Sequence, residues 1–182
     1  LAITGPFDRP ADGLEQLRLS LERRRSNTGS EPSLILLRAP WLSVTDYRQW
    51  VMDAARLIEG AGTRLLVHNH PELVDGHRIV GTHLSQAAVT SLERRPVSVK
   101  DWFGVSCHNQ QELARATALG ADYATVSPVH PTRSHPGAAT LGWGGFGELA
   151  ARATLPVYAL GGVGPGDQSE AVARGGQGVA GV

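Results

Sequence analysis

The residues of this chain that can do chemistry recur at one kind of position, at or just behind the end of a short apolar run. Arg38 follows LILL, His68, Asn69 and His70 close TRLLVHNH, and His83 lies near the end of IVGTHL. Ser106 and His108 close WFGVSCH, and Gly161 and Gly162 follow PVYAL. An arginine in such a place can grip a carboxylate or phosphate bidentately, or make a structural ion pair. Ser106 and His108 share strand parity, so both can project to one side of an extended segment. A neutral imidazole there is suited to moving protons near pH 7. Gly-Gly leading into a helix lets backbone N–H groups approach an anion, and is equally compatible with an ordinary tight turn.

Seven histidines also invite a metal reading, because His68-x-His70 would place two imidazoles on the same side of a strand. A mononuclear hydrolytic site needs three protein ligands and usually a carboxylate, yet no Asp or Glu ends the last apolar run, GVAGV. No metal and no cofactor is therefore expected. His68 and His83 read instead as hydrogen-bonded histidines of the scaffold. The single cysteine, Cys107, excludes an internal disulfide, reads as a small buried hydrophobe on a strand, and fits a reducing cytoplasm.

One long connection stands out. SPVHPTRSHPGAATLGWGG, residues 127–145, carries prolines that stiffen it, glycines that free it, and the side chains of Thr132, Ser134 and His135. A connection of this length is usually functional, so it reads as an active-site loop, with a solvated Ω-loop as the alternative.

The elements that must position these groups follow from periodicity. Apolar runs at 1–5, 34–38, 63–69, 79–84, 102–108, 123–129, 156–162 and 178–182 read as strands. Leu14, Leu17 and Leu21 recur at helical spacing, as do Trp50, Val51, Ala54, Leu57 and Ile58, with Ser43 or Thr45 as cap. Asn109 can cap QQELARATALG, and FGELAARA and QSEAVARGG supply later helices. Strands in strict alternation with helical connections, reading as continuous apolar runs, predict an α/β fold of the (β/α)8 TIM-barrel type with the last helix absent from this chain. A doubly wound open sheet is the alternative. With 182 residues, 41% of them hydrophobic, one domain over 1–182 is expected. Seventeen basic and seventeen acidic residues cancel, which argues against nucleic acid or an anionic membrane as partner. No apolar run approaches the ~18 residues of a membrane span.

Taken together, these segments resemble the thiamine phosphate synthase and TenI (thiazole tautomerase) superfamily over essentially the whole chain. The most specific match is GADYATVSPVHPTRSHPG, residues 120–137, similar to that family's Gly-Ala-Asp-Tyr strand and Pro-Val-Phe-Pro-Thr-x-Thr-Lys-x-Gly loop. LAIT, HLSQ, GVSCHNQQEL and YALGGV are supporting matches. The resemblance implies a phosphate held at Gly161 and Gly162, loop hydroxyls at Thr132 and Ser134, and the family's Ser-x-His in Ser106 and His108.

The departures from the family pattern are as informative. Asn69 stands where the first metal Asp is expected and Ala88 where the second is. Leu36 and Pro40 replace the Gln and Lys of the family's Gln-x-Arg-x-Lys segment, leaving Arg38, and His135 replaces the loop Lys. Binding a magnesium pyrophosphate with what remains is hard to reconcile with the synthase reaction. The resemblance thus implies a TenI-like barrel that binds a phosphorylated thiazole and shifts a proton on it without metal. His108 would be the general acid/base, with Arg38 or His135 on the carboxylate and the loop as a lid. Thiamine phosphate synthase itself, and a non-catalytic binding module, are the alternatives. The superfamily also occurs behind a Nudix hydrolase, so a covalently linked Nudix domain and a homo-oligomer are the partners the resemblance admits.

Overall fold

Each of eight short strands stops where its branched and aromatic residues give way to a polar or glycine-rich stretch. The computed structural model of the protein describes residues 1–26, 34–132, 137 and 139–181. The strands are β1 (Ala2–Ile3), β2 (Leu34–Leu37), β3 (Arg64–His68), β4 (Ile79–Leu84), β5 (Trp102–Cys107), β6 (Tyr123–Val126), β7 (Val157–Ala159) and β8 (Gly178–Val179). All pair in parallel in chain order. The sheet curls on itself where Ala2 bridges Gly181 and the Ile3 N–H donates to the Gly181 carbonyl at 2.8 Å. This is the (β/α)8 barrel expected from the alternation.

The connections carry α1 (Pro10–Ser26), α2 (Val44–Leu57), α3 (Gln86–Val89), α4 (Gln110–Ala118), α5 (Gly142–Arg152) and α6 (Gln168–Ala173), with single 3-10 turns at Pro71–Leu73 and Pro165–Asp167. Ser43 caps α2 by accepting the Asp46 N–H at 3.1 Å, and Asn109 caps α4 by accepting the Glu112 N–H at 3.0 Å. Gly60 and Gly120 follow these two helices with φ of +74° each, the left-handed stop that a side chain would resist. β6 is shorter than the run that suggested it, because Pro128 brings no N–H to continue the ladder.

Outside the sheet the apolar faces form two shells. Ile35, Leu37, Leu65, Val67 and Ile79 pack under Leu17, Trp50 and Ala54 of α1 and α2. Leu84, Phe103, Val105, Val126 and Ala159 pack with Leu113, Phe146 and Ala171 of α4 to α6. Cys107 lies in this second shell, fully buried, and burial pushes its thiol up to about 12. Inside the barrel, Leu36, Leu66, Val80 and Tyr123 form a third cluster, joined by Leu1, Ile3, Leu34 and Tyr158. Leu66 is fully buried there, and cutting it to alanine would cost roughly 2–5 kcal/mol. Among the described residues no helix is long and apolar enough to cross a membrane.

One irregularity matters for the interior. Leu65 pairs with Ile79 but Leu66 pairs with Gly81, so Val80 is an extra residue in β4. The bulge lets Val80 and His83, three residues apart, both face the inside of the barrel.

Candidate functional site

Strand parity carries the interior upward from an apolar floor to a polar mouth. Two residues beyond Leu36 comes Arg38, and two beyond Leu66 comes His68. Tyr47 of α2 fixes both strand ends: its hydroxyl donates to the Leu37 carbonyl at 2.7 Å and accepts the His68 N–H at 2.9 Å. Thr4 anchors Arg38 from the other side, its Oγ1 accepting the Arg38 N–H at 2.8 Å and donating to the Arg38 carbonyl at 3.2 Å. The Arg38 guanidinium is half-buried and has no hydrogen-bond or ion-pair partner among the described residues.

His83 is fully buried between two hydroxyls, with Nε2 2.9 Å from Ser106 Oγ and Nδ1 3.0 Å from Tyr123 Oη. Burial first, then the charges of His68 and Arg38, push the His83 imidazole down to about 3. Burial, Arg38 and His70 likewise push His68 down to about 4. Burial raises the Tyr123 phenol above its ordinary range. Among the described residues the strand ends of β2 to β4 therefore bring one positive charge to the mouth, on Arg38, beside two neutral imidazoles. Gly104 makes room for this network, since a Cβ there would lie 2.6 Å from His83 Nδ1 and closer still to Tyr123. Thr125, the register partner of Ser106 on β6, is buried, and its Oγ1 has no hydrogen-bond partner among the described residues.

His108 lies elsewhere than strand parity with Ser106 suggested. β5 ends at Cys107, and the exposed imidazole turns to α4, with Nδ1 2.8 Å from Glu112 Oε2. Ser106 faces His83 and not His108. The His68-x-His70 pairing fails for a similar reason. Asn69 has a φ of +60°, which breaks the extended strand, and His70 stacks on Tyr47 with Nδ1 2.9 Å from Glu72.

Gly161 and Gly162 have φ of +87° and +68°, and both are pressed by the β6–α5 connection. A Cβ on Gly161 would lie 2.8 Å from Pro128 and 3.3 Å from Thr132 Cγ2, and one on Gly162 would lie 2.7 Å from His130 Cβ. The connection is tied there by Val129 N–H to the Leu160 carbonyl and His130 N–H to the Gly161 carbonyl, each at 2.9 Å. Thr132 is thus brought beside the Gly-Gly turn, while Ser134 and His135 lie outside the described residues. The N–H groups of Gly161, Gly162 and Val163 have no acceptor among the described residues.

The magnesium that the family resemblance implies does not fit this donor set. The Asn69 side chain spends its Oδ1 on the Ser85 N–H at 2.8 Å, and Ala88 packs its methyl group into the second shell. Among the described residues no three His, Cys, Asp or Glu side chains converge where a metal could bind.

What sequence reading missed is the network behind Ser106. Its signal lay in the alternation along β5 and β6, where Gly104, Ser106, Tyr123 and Thr125 fall opposite to Phe103, Val105, Ala124 and Val126.

Comparison with known proteins agrees with this architecture. Over 138 residues, 73% of this chain, it is 30% identical to a thiamine-phosphate synthase of Chloroflexus aurantiacus, covering 63% of that protein. Over 108 residues, 59% of this chain, it is 33% identical to a thiamine-phosphate synthase of Thermosynechococcus vestitus, covering 31% of it. The chain thus spans less than two thirds of the length of these relatives. In fold it is similar to a thiamine phosphate pyrophosphorylase from Pyrococcus furiosus, with a TM-score of 0.70 at 20% identity, covering 98% of this chain and 82% of that one. The family described as thiamine monophosphate synthase matches residues 2–182, and this chain belongs to it.

Proposed function

We propose that this chain binds a phosphorylated thiazole of thiamine biosynthesis at the barrel mouth and moves a proton on its ring without a metal. The observation that carries the reading is the half-buried Arg38 guanidinium, which has no counter-ion among the described residues and lies on the same side of the barrel mouth as two imidazoles that stay neutral. Such a cation calls for an anionic group from a ligand. The N–H groups of Gly161, Gly162 and Val163, which have no acceptor among the described residues and stand beside Thr132, suit the phosphate. A thiazole carboxylate would then reach Arg38. His108, oriented by Glu112, keeps Nε2 available as the general acid/base.

Incubation with the thiazole carboxylate phosphate tautomer, followed by ring absorbance, tests this directly. Aromatisation in the presence of a chelator is the expected result. No change in absorbance, with binding still seen by thermal shift, would reduce the chain to a binding module.

The names of the Chloroflexus and Thermosynechococcus relatives favour a second reading, the magnesium-dependent coupling of a pyrimidine pyrophosphate to thiazole phosphate. Formation of thiamine phosphate from both precursors, abolished by chelator, would establish it and overturn the first. The positions of Asn69 and Ala88 weigh against that outcome.

A further inference from the structure

We propose that Tyr123 and His83 form a one-way hydrogen-bond relay that leaves the Ser106 hydroxyl as a donor toward the barrel mouth, so that the ligand group seated there is a hydrogen-bond acceptor. The His83 imidazole is buried, with Nδ1 3.0 Å from Tyr123 Oη and Nε2 2.9 Å from Ser106 Oγ. A neutral ring carries one N–H, and its other nitrogen is an acceptor. With the proton on Nδ1 the ring would donate to Tyr123, and the buried Tyr123 hydroxyl hydrogen would have no acceptor among the described residues. With the proton on Nε2, Tyr123 donates to Nδ1 and the ring donates to Ser106, so every buried polar hydrogen of the set is used. A buried donor without an acceptor loses its hydration and gains nothing in return, which selects the Nε2–H ring.

The bonds therefore run in one direction, from Tyr123 through His83 to Ser106, and end on a hydrogen that the described residues leave unused. Ser106 is only half-buried, and its hydroxyl has no partner among them besides His83. Thr125, its register partner on β6, is buried and its Oγ1 has no partner among the described residues either. Two neighbouring hydroxyls thus lack an acceptor where the relay ends. The relay needs a neutral ring, because an imidazolium would set an N–H against the Tyr123 hydroxyl. Burial secures that state, and His68 and Arg38, whose charges act on the ring, both disfavour the imidazolium. Gly104 keeps the spacing, since a Cβ there would press on both Tyr123 and His83. Tyr123 and His83 are positioning residues that act through Ser106. A ligand oxygen or ring nitrogen without a hydrogen of its own completes the row, whereas an amino or ammonium group there would leave the Ser106 hydrogen unused.

Which acceptor it meets rests on the proposed function, where it belongs to the thiazole carboxylate phosphate, but the relay itself is read without any ligand. Histidine ring 15N spectra near neutral pH report the tautomer. His83 is assigned by the loss of its signals in His83→Gln or, should that variant not fold, by through-bond connection to its own backbone amide. The parent should show a protonated Nε2 and a bare, hydrogen-bonded Nδ1. A proton on Nδ1, or one averaged over both nitrogens, would overturn the relay. Tyr123→Phe should move the Nδ1 signal toward that of an unbonded acceptor while Nε2 stays protonated, and an unmoved Nδ1 would remove Tyr123 as the donor and the relay with it. The far end is read with thiazole carboxylate phosphate as the probe, whose affinity should fall about tenfold in Ser106→Ala, the loss of about one hydrogen bond. Equal affinity in that variant would overturn the donor role of Ser106. If the parent does not bind this probe, the proposed function fails, and the spectra still decide the relay.

Discussion

His108 and Glu112 form a closed pair, in which Glu112 Oε2 accepts both the imidazole Nδ1–H at 2.8 Å and the His108 backbone N–H at 2.7 Å. In the neutral ring this carboxylate places the proton on Nδ1, so that Nε2 is the acceptor a general base needs. On the proposed function, His108→Ala should lower turnover by about 10²–10⁴-fold while the unfolding midpoint hardly moves, since the ring is exposed. Equal turnover in variant and parent would remove His108 from the mechanism. Glu112→Ala should lose turnover and also about 1 kcal/mol of stability, because Glu112 closes the first turn of α4 through Asn109 Nδ2 at 2.9 Å. Urea unfolding of the two variants separates these effects.

Gly161→Ala and Gly162→Ala should each cost roughly 1–3 kcal/mol, from the positive φ and from the displaced backbone of Pro128 to Pro131. Thiazole phosphate affinity should fall with them, by calorimetric titration. Affinity unchanged in a folded Gly162→Ala protein would move the phosphate elsewhere.

Stability should fall in mild acid for a definite reason. The ordinary histidine value is 6.5, and the folded chain holds His68 near 4 and His83 near 3. Below about pH 6.5 the unfolded chain takes up protons that the folded chain refuses. Stability is then full above that pH and declines by about 1.4 kcal/mol per pH unit for each histidine as pH falls toward the folded values. Denaturant unfolding at pH 7.5 and pH 5 should show the loss, and His83→Gln should make it shallower. An identical slope in the variant would mean that His83 is not held neutral by the fold.

Removing the charge at the mouth should be visible at a neighbour. In Arg38→Met the His68 value should rise, because Arg38 is one of the causes that depress it. Proton NMR titration of the His68 ring checks the direction, and the same variant should lose affinity for thiazole phosphate.

Much of the barrel was legible because its signals are local. The stripe Trp50, Val51, Ala54, Ile58, the caps Ser43 and Asn109, and the stop at Gly120 each depend on neighbours a few residues away. Strand parity continues the inward faces of β2 and β3 from Leu36 to Arg38 and from Leu66 to His68. It failed for His70 and His108, because a positive φ at Asn69 and the end of β5 at Cys107 interrupt the alternation. Nor did the sequence show that His83, Ser106 and Tyr123 meet, since that contact joins three strands and depends on the extra residue in β4.

The strand that carries His83 also belongs to both outer shells, with Ile79 at its start packed under α1 and α2 and Leu84 at its end packed with the later helices. The two outer shells therefore meet along β4, and His83 stands on that seam while Ser106 and Tyr123 lie on β5 and β6. A displacement of β4 against these neighbours would lengthen the two bonds that hold the His83 ring, so the packing on both sides of β4 keeps the Ser106 hydroxyl in place.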